Sequence, residues 1–357
     1  MATKRNIIAG LVVLSMIVFL SSFGMGPQSK NSDQNLSGPR NGVALIMTGA
    51  AARIPQEAAL LEELDRRGEL KNLVFISGVS SGALNSVILN GILSGKMSWN
   101  DYRNILYNLK NQDIFSQQGR KFPLNTSPAR ELYKNIVEDK LGYHKIGDLP
   151  ITTGISFTHL KDLDLKKNVY RMCSRKINQE SDTTLSLVDI MMASSAFPVV
   201  FPPVRIRNVK TIPDYEFVDG GVGEDHVPYH ALLEFEKFRG AEVEKVYIIS
   251  RKSDNIPDFS EELRGLGIND RGFFDKLGFS LDAILNKGII KRLQEFASES
   301  PDHVPFTYVW IPNFKENFML FNFENLKEQY QVTAQWARTH NPVRIDAFLS
   351  GILPKKK

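Results

Sequence analysis

An α/β fold built on a parallel sheet is what this sequence predicts, and three observations carry it. Val43 to Met47 is a short, unbroken apolar run, as expected of a strand covered on both faces. After the turn Thr48 to Arg53, a helix is expected from about Pro55 to Arg67. There Ala58, Leu61 and Leu64 share one face, and Glu62–Arg66 and Glu63–Arg67 stand four apart on the other. Leu73 to Ile76 is the second apolar run. Strand, helix and strand in this order make a crossover unit that leaves the two strands parallel.

The second strand leads into Gly78-Val79-Ser80-Ser81-Gly82, and good helix formers continue from Ala83 to Leu93. A G-x-S-x-G between strand and helix puts its serine on a tight, strained bend with the hydroxyl pushed out of the sheet. Glycines flank it because side chains there would meet neighbouring backbone. The helix start aims free N–H groups and a positive dipole end at the same place. Ser80 is therefore the candidate nucleophile. The five-residue pattern alone matches many ordinary loops; its placement between strand and helix gives it weight. Ser81, in the fourth place, reads as the first turn of the helix.

The rest of the chain extends this plan. Residues 1–23 carry Lys4 and Arg5 before an uncharged apolar stretch, Ile7 to Leu20, the arrangement of a secretory signal or an N-terminal membrane anchor. That stretch is about 14 residues long, short of the roughly 20 that span a bilayer. Residues 24–41 are Gly, Pro, Ser, Asn and Gln with almost nothing apolar and read as a flexible linker. The folded domain is expected over 42–350, with 351–357 a basic tail. Within it, 100–148 is mainly helical, and Thr126-Ser127-Pro128 places a capping hydroxyl before a first-turn proline, starting a helix that runs to about Lys140. Strands follow at Ile151–Phe157 and Asn168–Cys173, and a short helix at Leu185–Met192. Further strands are expected at Glu216–Val218, Val243–Ser250 and Thr307–Ile311. Phe259 to Glu299 reads as an amphipathic helical stretch, broken near Gly265 to Gly272, which covers the core or acts as a lid; Phe323 to Arg338 is the last helix.

Composition narrows the function. A net charge of +4 over 357 residues is too slight for dedicated nucleic-acid binding, while Lys355-Lys356-Lys357 suits contact with an anionic membrane surface. Cys173 is the only cysteine, which excludes an internal disulfide and a cysteine-rich metal site; between Arg171 and Arg175 it reads as packing. No metal or cofactor motif is present, and oligomeric state is not readable.

Acyl transfer by serine needs a hydroxyl, a base and N–H donors for the developing oxyanion. If the strands are parallel, three turns share their C-terminal edge: Gly49 to Arg53, Gly78 to Gly82, and Asp219-Gly220-Gly221. The first offers backbone N–H groups among small side chains, and the third a carboxylate. A histidine base would have to be His144, His159, His226, His230, His303 or His340. In the chain order Ser, acid, His, only His303 or His340 qualifies among those not crowded behind Asp219, and neither follows a strand. His226 and His230 lie close behind Asp219, where they suit a pocket wall.

Four motifs in this order resemble the patatin-like phospholipase family. They are the Gly49…Arg53 turn, the Gly78–Gly82 elbow, Ala193-Ser194-Ser195-Ala196-Phe197-Pro198, and Asp219-Gly220-Gly221. Phe201-Pro202-Pro203-Val204 and Val227-Pro228 resemble it too, so that the likeness runs from about Gly42 to Ser250. The resemblance implies a three-layer α/β/α sandwich with a mainly parallel central sheet. It implies a hydrolase of fatty-acyl esters in which Ser80 attacks and Asp219 is the base, with no catalytic histidine and no cofactor. Gly49, Ala50 and Ala51 would supply the oxyanion hole, while Arg53, Gly78, Gly82, Gly220 and Gly221 support the motifs. A lipid acyl ester is the implied substrate and a membrane surface the implied partner. The sequence departs from the family pattern at Ala50, Ala51 and Ile54, which stand where glycines are usual. At any of these that needs a positive φ, the side chain costs on the order of 1–2 kcal/mol. A catalytically weak lipid-binding relative is the alternative that this departure favours.

Overall fold

The computed structural model describes residues 40–116, 123–160, 168–198, 200–207, 216–252 and 281–352, with side chains from 288 onward in the last of these segments. The N-terminal apolar segment, nearly all of the linker, residues 259–280 and most of the basic tail lie outside the described residues.

Both apolar runs near the start of the domain are strands, β1 (Val43–Met47) and β2 (Leu73–Val79), paired in parallel through the helix α1 (Ile54–Arg66). Pro55 sits in the first turn of α1, where its missing N–H costs nothing. Along β1 the alternation divides the core. Val43, Leu45 and Met47 join Leu60, Leu61 and Leu64 of α1 on one face. Ala44 and Ile46 join Leu232, Phe296 and Leu349 on the other. The helices α6 (His230–Arg239), α7 (Leu281–Glu299) and α9 (Ile345–Ile352) cover that second face. On the first face lie α1, α2 (Ser81–Leu93) and α8 (Leu326–Thr339). The result is three layers, α/β/α.

The sheet has nine strands among the described residues, and its centre is parallel in the order β3-β2-β1-β7-β8. Here β3 is Thr152–His159, β7 is Lys245–Ile249 and β8 is Thr307–Trp310. Antiparallel strands close both margins: β4 (Val169–Cys173), β5 (Val204–Arg205) and β6 (Glu216–Asp219) beside β3, and β9 (Val343–Arg344) beside β8. The remaining helices, α3 (Trp99–Asn108), α4 (Ser127–Tyr133, continued as a π-helix over Lys134–Lys140) and α5 (Leu187–Ser194), pack into the largest apolar cluster.

Two local expectations are corrected. Glu62 does not pair with Arg66; it binds Arg103 and the Tyr330 hydroxyl, while Glu63 takes both Arg66 and Arg67. Helix-to-helix contacts outweigh an exposed i,i+4 pair, which contributes only about 0.3–0.5 kcal/mol. The hydroxyls of Thr126 and Ser127 do not cap α4 either: Asn125 Oδ1 accepts from the Ser127 N–H at 3.0 Å and from its Oγ at 2.8 Å.

Candidate active site

Ser80 and Asp219 meet through the sheet. Strand β3 pairs with β2 as far as Val79↔Ser156, and three residues of β3 continue past that end. Those residues pair with β6, antiparallel, from Phe157↔Asp219 to His159↔Phe217. Because β4 occupies the opposite side of β3 over Gly154 to Thr158, β2 and β6 must share one side. They lie end to end there, with their C-termini facing each other at adjacent β3 residues. This corrects the parallel-edge expectation for Asp219: its strand runs the other way, and the overhang of β3 delivers it to the same edge. The Ser80 hydroxyl and the Asp219 carboxylate line one cavity, close enough that the hydroxyl draws the carboxyl pKa down.

Ser80 is held in an unusual conformation, φ 57° and ψ −126°, immediately before α2. A non-glycine residue there stores roughly 1–3 kcal/mol of strain, and the surroundings enforce it. A Cβ on Gly78 would come within 2.4 Å of the Gly82 carbonyl oxygen, and one on Gly82 within 2.5 Å of the Thr48 oxygen. The bend thus presses against the preceding loop, where a Cβ on Gly49 would sit 3.1 Å from Ser80 Cβ.

That loop answers the question raised by its alanines. Ala50 has φ −134° and Ile54 φ −47°, both ordinary for an L-residue. Only Ala51, at φ 44°, occupies the region that favours glycine. Ala50, expected among the oxyanion donors, gives its N–H to Ser81 Oγ at 2.7 Å. Among the described residues no acceptor takes the Gly49 or Ala51 N–H. Ser81, adjacent to the nucleophile in sequence, is therefore what ties the loop to the elbow. Arg53 fastens the loop from behind. Fully buried, it donates to the Phe318 carbonyl from Nε (2.9 Å) and to the Lys252 carbonyl from Nη1 (2.9 Å). Beneath it Glu57 accepts from Thr48 Oγ1 at 3.1 Å and Asn85 Nδ2 at 3.2 Å, and burial pushes its carboxyl up to about 8.

The Ala193–Pro198 segment links the two halves of the site. Ser194 Oγ accepts the Ser80 N–H at 2.9 Å and donates to the Ser156 carbonyl at 2.7 Å. Two residues on, the Ala196 carbonyl accepts the Asp219 N–H at 3.0 Å. Asp219 also accepts the Gly221 N–H at 2.8 Å. Burial raises its carboxyl to about 6, against the opposing pull of the nearby Ser80 hydroxyl and the Gly221 N–H. Gly220 is needed because its Cβ would meet the Ser156 backbone at 2.9 Å.

Ser80 and Asp219 open into a cavity lined mainly by apolar side chains, among them Leu84, Leu109, Ile114, Phe201 and Phe321. One wall was not foreseen: Leu320, Phe321 and Phe323 come from the loop before α8, anchored by the Ala52 N–H on the Leu320 carbonyl at 2.8 Å. Phe321 stacks its ring edge on Phe197 and Phe201 at 5.7 and 6.2 Å. Periodicity does not mark that loop; its density of phenylalanines was the available signal.

Among the six histidines only His226 lines the cavity, and no hydrogen bond joins it to Ser80 or Asp219 among the described residues. His303 pairs with Glu236 at 2.8 Å on the far face, and His340 stacks on Trp336 at the surface. His230 contacts Arg292 and Glu299, His159 packs among Tyr170 and Phe217, and His144 is exposed.

The family model described as patatin-like phospholipase matches residues 45–233. No curated protein matches. Among solved structures, VipD from Legionella pneumophila is 13% identical with a TM-score of 0.40, over 90% of this chain and 73% of that one. Human GIVD cytosolic phospholipase A2 is 10% identical with a TM-score of 0.45, over 98% of this chain and 63% of that one. The type III effector ExoU is 11% identical with a TM-score of 0.38, over 88% of this chain and 54% of that one. The chain thus spans less than two thirds of the last two.

Proposed function

Since this chain belongs to the patatin-like phospholipase family, we propose that it is a serine hydrolase of lipid acyl esters that works through Ser80 and Asp219. The observation that carries this reading is the convergence of Ser80, on a strained bend, and the buried Asp219 carboxylate in one apolar cavity. In the first step Ser80 Oγ attacks the acyl carbonyl and passes its proton to Asp219. The tetrahedral oxyanion faces the Gly49 and Ala51 N–H groups, each such donor being worth about 10²–10³ in rate. Asp219 then protonates the departing alcohol, leaving the acyl group on Ser80. Water, deprotonated by Asp219, releases the acid. The apolar wall suits a fatty chain.

The test is ester hydrolysis by the full-length protein in detergent, with short and long p-nitrophenyl esters. Ser80→Ala and Asp219→Asn are expected to lose activity, and alanine at each of His144, His159, His230, His303 and His340 to keep it. Activity that survives Asp219→Asn, or dies with one of those histidines, would sink the dyad. The positive φ of Ala51 favours a second reading, a weak enzyme that chiefly binds lipid. Saturable fatty-acid binding by a protein with no esterase activity would support it.

Residues 42–350 are proposed as the catalytic domain, with export or membrane association directed by the N-terminal apolar segment. None of the described helices is long and apolar enough to cross a membrane. Fractionating cells that express the chain with and without residues 1–23 tests this; equal partitioning of both forms would refute it.

A further inference from the structure

Once Ser80 and Asp219 are given their roles, His226 remains as a buried polar side chain of the same cavity with no task. Its ring is wedged between two glycines. On one side is Gly288 of α7, where a Cβ would fall 2.2 Å from His226 Cδ2 and 2.5 Å from Nε2. On the other is Gly221, where a Cβ would lie 2.9 Å from His226 Nδ1 and 3.2 Å from Asp219 Oδ1. The missing Gly221 side chain thus leaves a notch, with the carboxylate on one wall and the imidazole on the other. Those two distances place His226 Nδ1 and Asp219 Oδ1 no more than about 6 Å apart, a gap that one water molecule bridges with two hydrogen bonds.

Chemistry singles out this place. When one carboxylate serves both halves of an ester hydrolysis, the leaving oxygen collects its proton from that carboxylate, and the incoming water gives one to it. Both oxygens therefore pass beside Asp219. They differ in one respect: water carries a second hydrogen, and the leaving alkoxide carries none. A neutral imidazole nitrogen can accept that second hydrogen and so aim the water's lone pair at the acyl carbon. His226 is suited to this because burial pushes it down to about 4, which keeps it uncharged at neutral pH.

We propose that His226 orients the deacylating water, its Nδ1 accepting the water hydrogen that Asp219 does not take. The inference rests on the dyad reading above. In the step itself the water oxygen bonds to the acyl carbon and one proton moves to Asp219. The bond from that carbon to Ser80 Oγ breaks, and Asp219 returns its proton to Ser80. The second hydrogen stays on the oxygen and leaves with the carboxylic acid. No proton is transferred to His226, which separates its role from that of a triad base.

The test follows turnover of a p-nitrophenyl ester by the full-length protein, together with the acylated fraction in quenched samples by intact mass. His226→Phe keeps a ring in the wedge but has no acceptor; His226→Asn restores one. Expected in His226→Phe is a loss of turnover of tenfold or more, with the acylated fraction rising above that of the parent. His226→Asn is expected to recover part of the rate. Unchanged turnover would overturn the proposal, as would a fall with no rise in acyl-enzyme, which would place the defect in acylation or packing. Because misfolded molecules do not acylate, partial misfolding lowers the acylated fraction and does not imitate the expected rise. Failure of the dyad itself looks different: Asp219→Asn would turn over like the parent, or Ser80→Ala would still become acylated.

Discussion

Removing the Ser194 hydroxyl tests whether the elbow is held from outside rather than by its own sequence. Ser194 is fully buried, and its Oγ joins the Ser80 N–H at 2.9 Å to the Ser156 carbonyl at 2.7 Å. Alanine takes that partner from a half-buried N–H and a buried carbonyl. Each unsatisfied buried group costs about 1–3 kcal/mol, so Ser194→Ala is expected to lower stability by about 2–4 kcal/mol, read as a shift in urea midpoint at unchanged slope. Ser80 also loses the acceptor that fixes its N–H at φ 57°. A nucleophile that relaxes by a fraction of an ångström loses alignment, and kcat/KM for a p-nitrophenyl ester is expected to fall about 10- to 100-fold. The neighbouring Ser195 is the control, since its Oγ only reaches Tyr133 Oη at 3.5 Å; Ser195→Ala is expected to change stability by less than about 1 kcal/mol. If Ser194→Ala unfolds within about 0.5 kcal/mol of the parent and keeps its rate within twofold, the bracing argument is wrong.

Four further outcomes follow from the same geometry. Asp219 must be ionised to accept the Ser80 proton, so kcat/KM is expected to rise with pH through about 6 and then level; a limb near 4 would show that burial does not set its basicity. A carboxyl raised from 3.8 to about 6 destabilises the fold above pH 6, an effect that disappears below 3.8 where both states are protonated. Asp219→Asn is therefore expected to abolish activity while raising stability at pH 7 by about 1–3 kcal/mol, and by nothing at pH 3; equal melting of the two proteins at pH 7 would contradict this. Ala51→Gly removes about 1–2 kcal/mol of left-handed strain but adds chain entropy to the unfolded state worth about 0.4–1 kcal/mol. A net gain of about 0.5–1 kcal/mol is expected by denaturant titration, and a loss would mean that the Ala51 methyl packs usefully. Ala129→Trp, on a small cavity-lining residue, is expected to abolish hydrolysis of long acyl esters while sparing acetyl esters; equal loss on both would place the acyl chain elsewhere.

How much of this was legible from sequence depends on the range of the interactions. The β1–α1–β2 crossover and the elbow were readable because each is encoded within a few residues: apolar runs, helical spacing, glycines about a serine. The direction of β6 was not. Glu216 to Asp219 is four residues long, and nothing in four residues states which neighbour they pair with or in which sense. The roles of Ser194 and Ala196 were hidden for the same reason, since their partners lie 114 residues away for Ser194 and on β6 for Ala196. Ser81 was read only as the helix start, because its bond to Ala50 depends on the bend's approach to the loop. The alanines of that loop were flagged from sequence, but which of them pays for a glycine place emerged only from the backbone angles.

The proposed two-residue site depends on the antiparallel course of β6. Lying end to end with β2 on one side of β3, that strand brings Asp219 beside Ser80 in the same cavity. The same abutment buries the carboxylate, and burial lifts it from 3.8 to about 6, which makes it a stronger base at neutral pH than an exposed aspartate. Proximity and raised basicity therefore have one cause, the three-residue overhang of β3. Disrupting it without touching either catalytic residue separates the two views. Thr158→Pro removes a ladder N–H at Thr158↔Val218 and is expected to abolish activity in a protein that still folds around β1, β2 and β7. Retained activity in that variant would mean that Asp219 is placed by its own turn and not by the sheet.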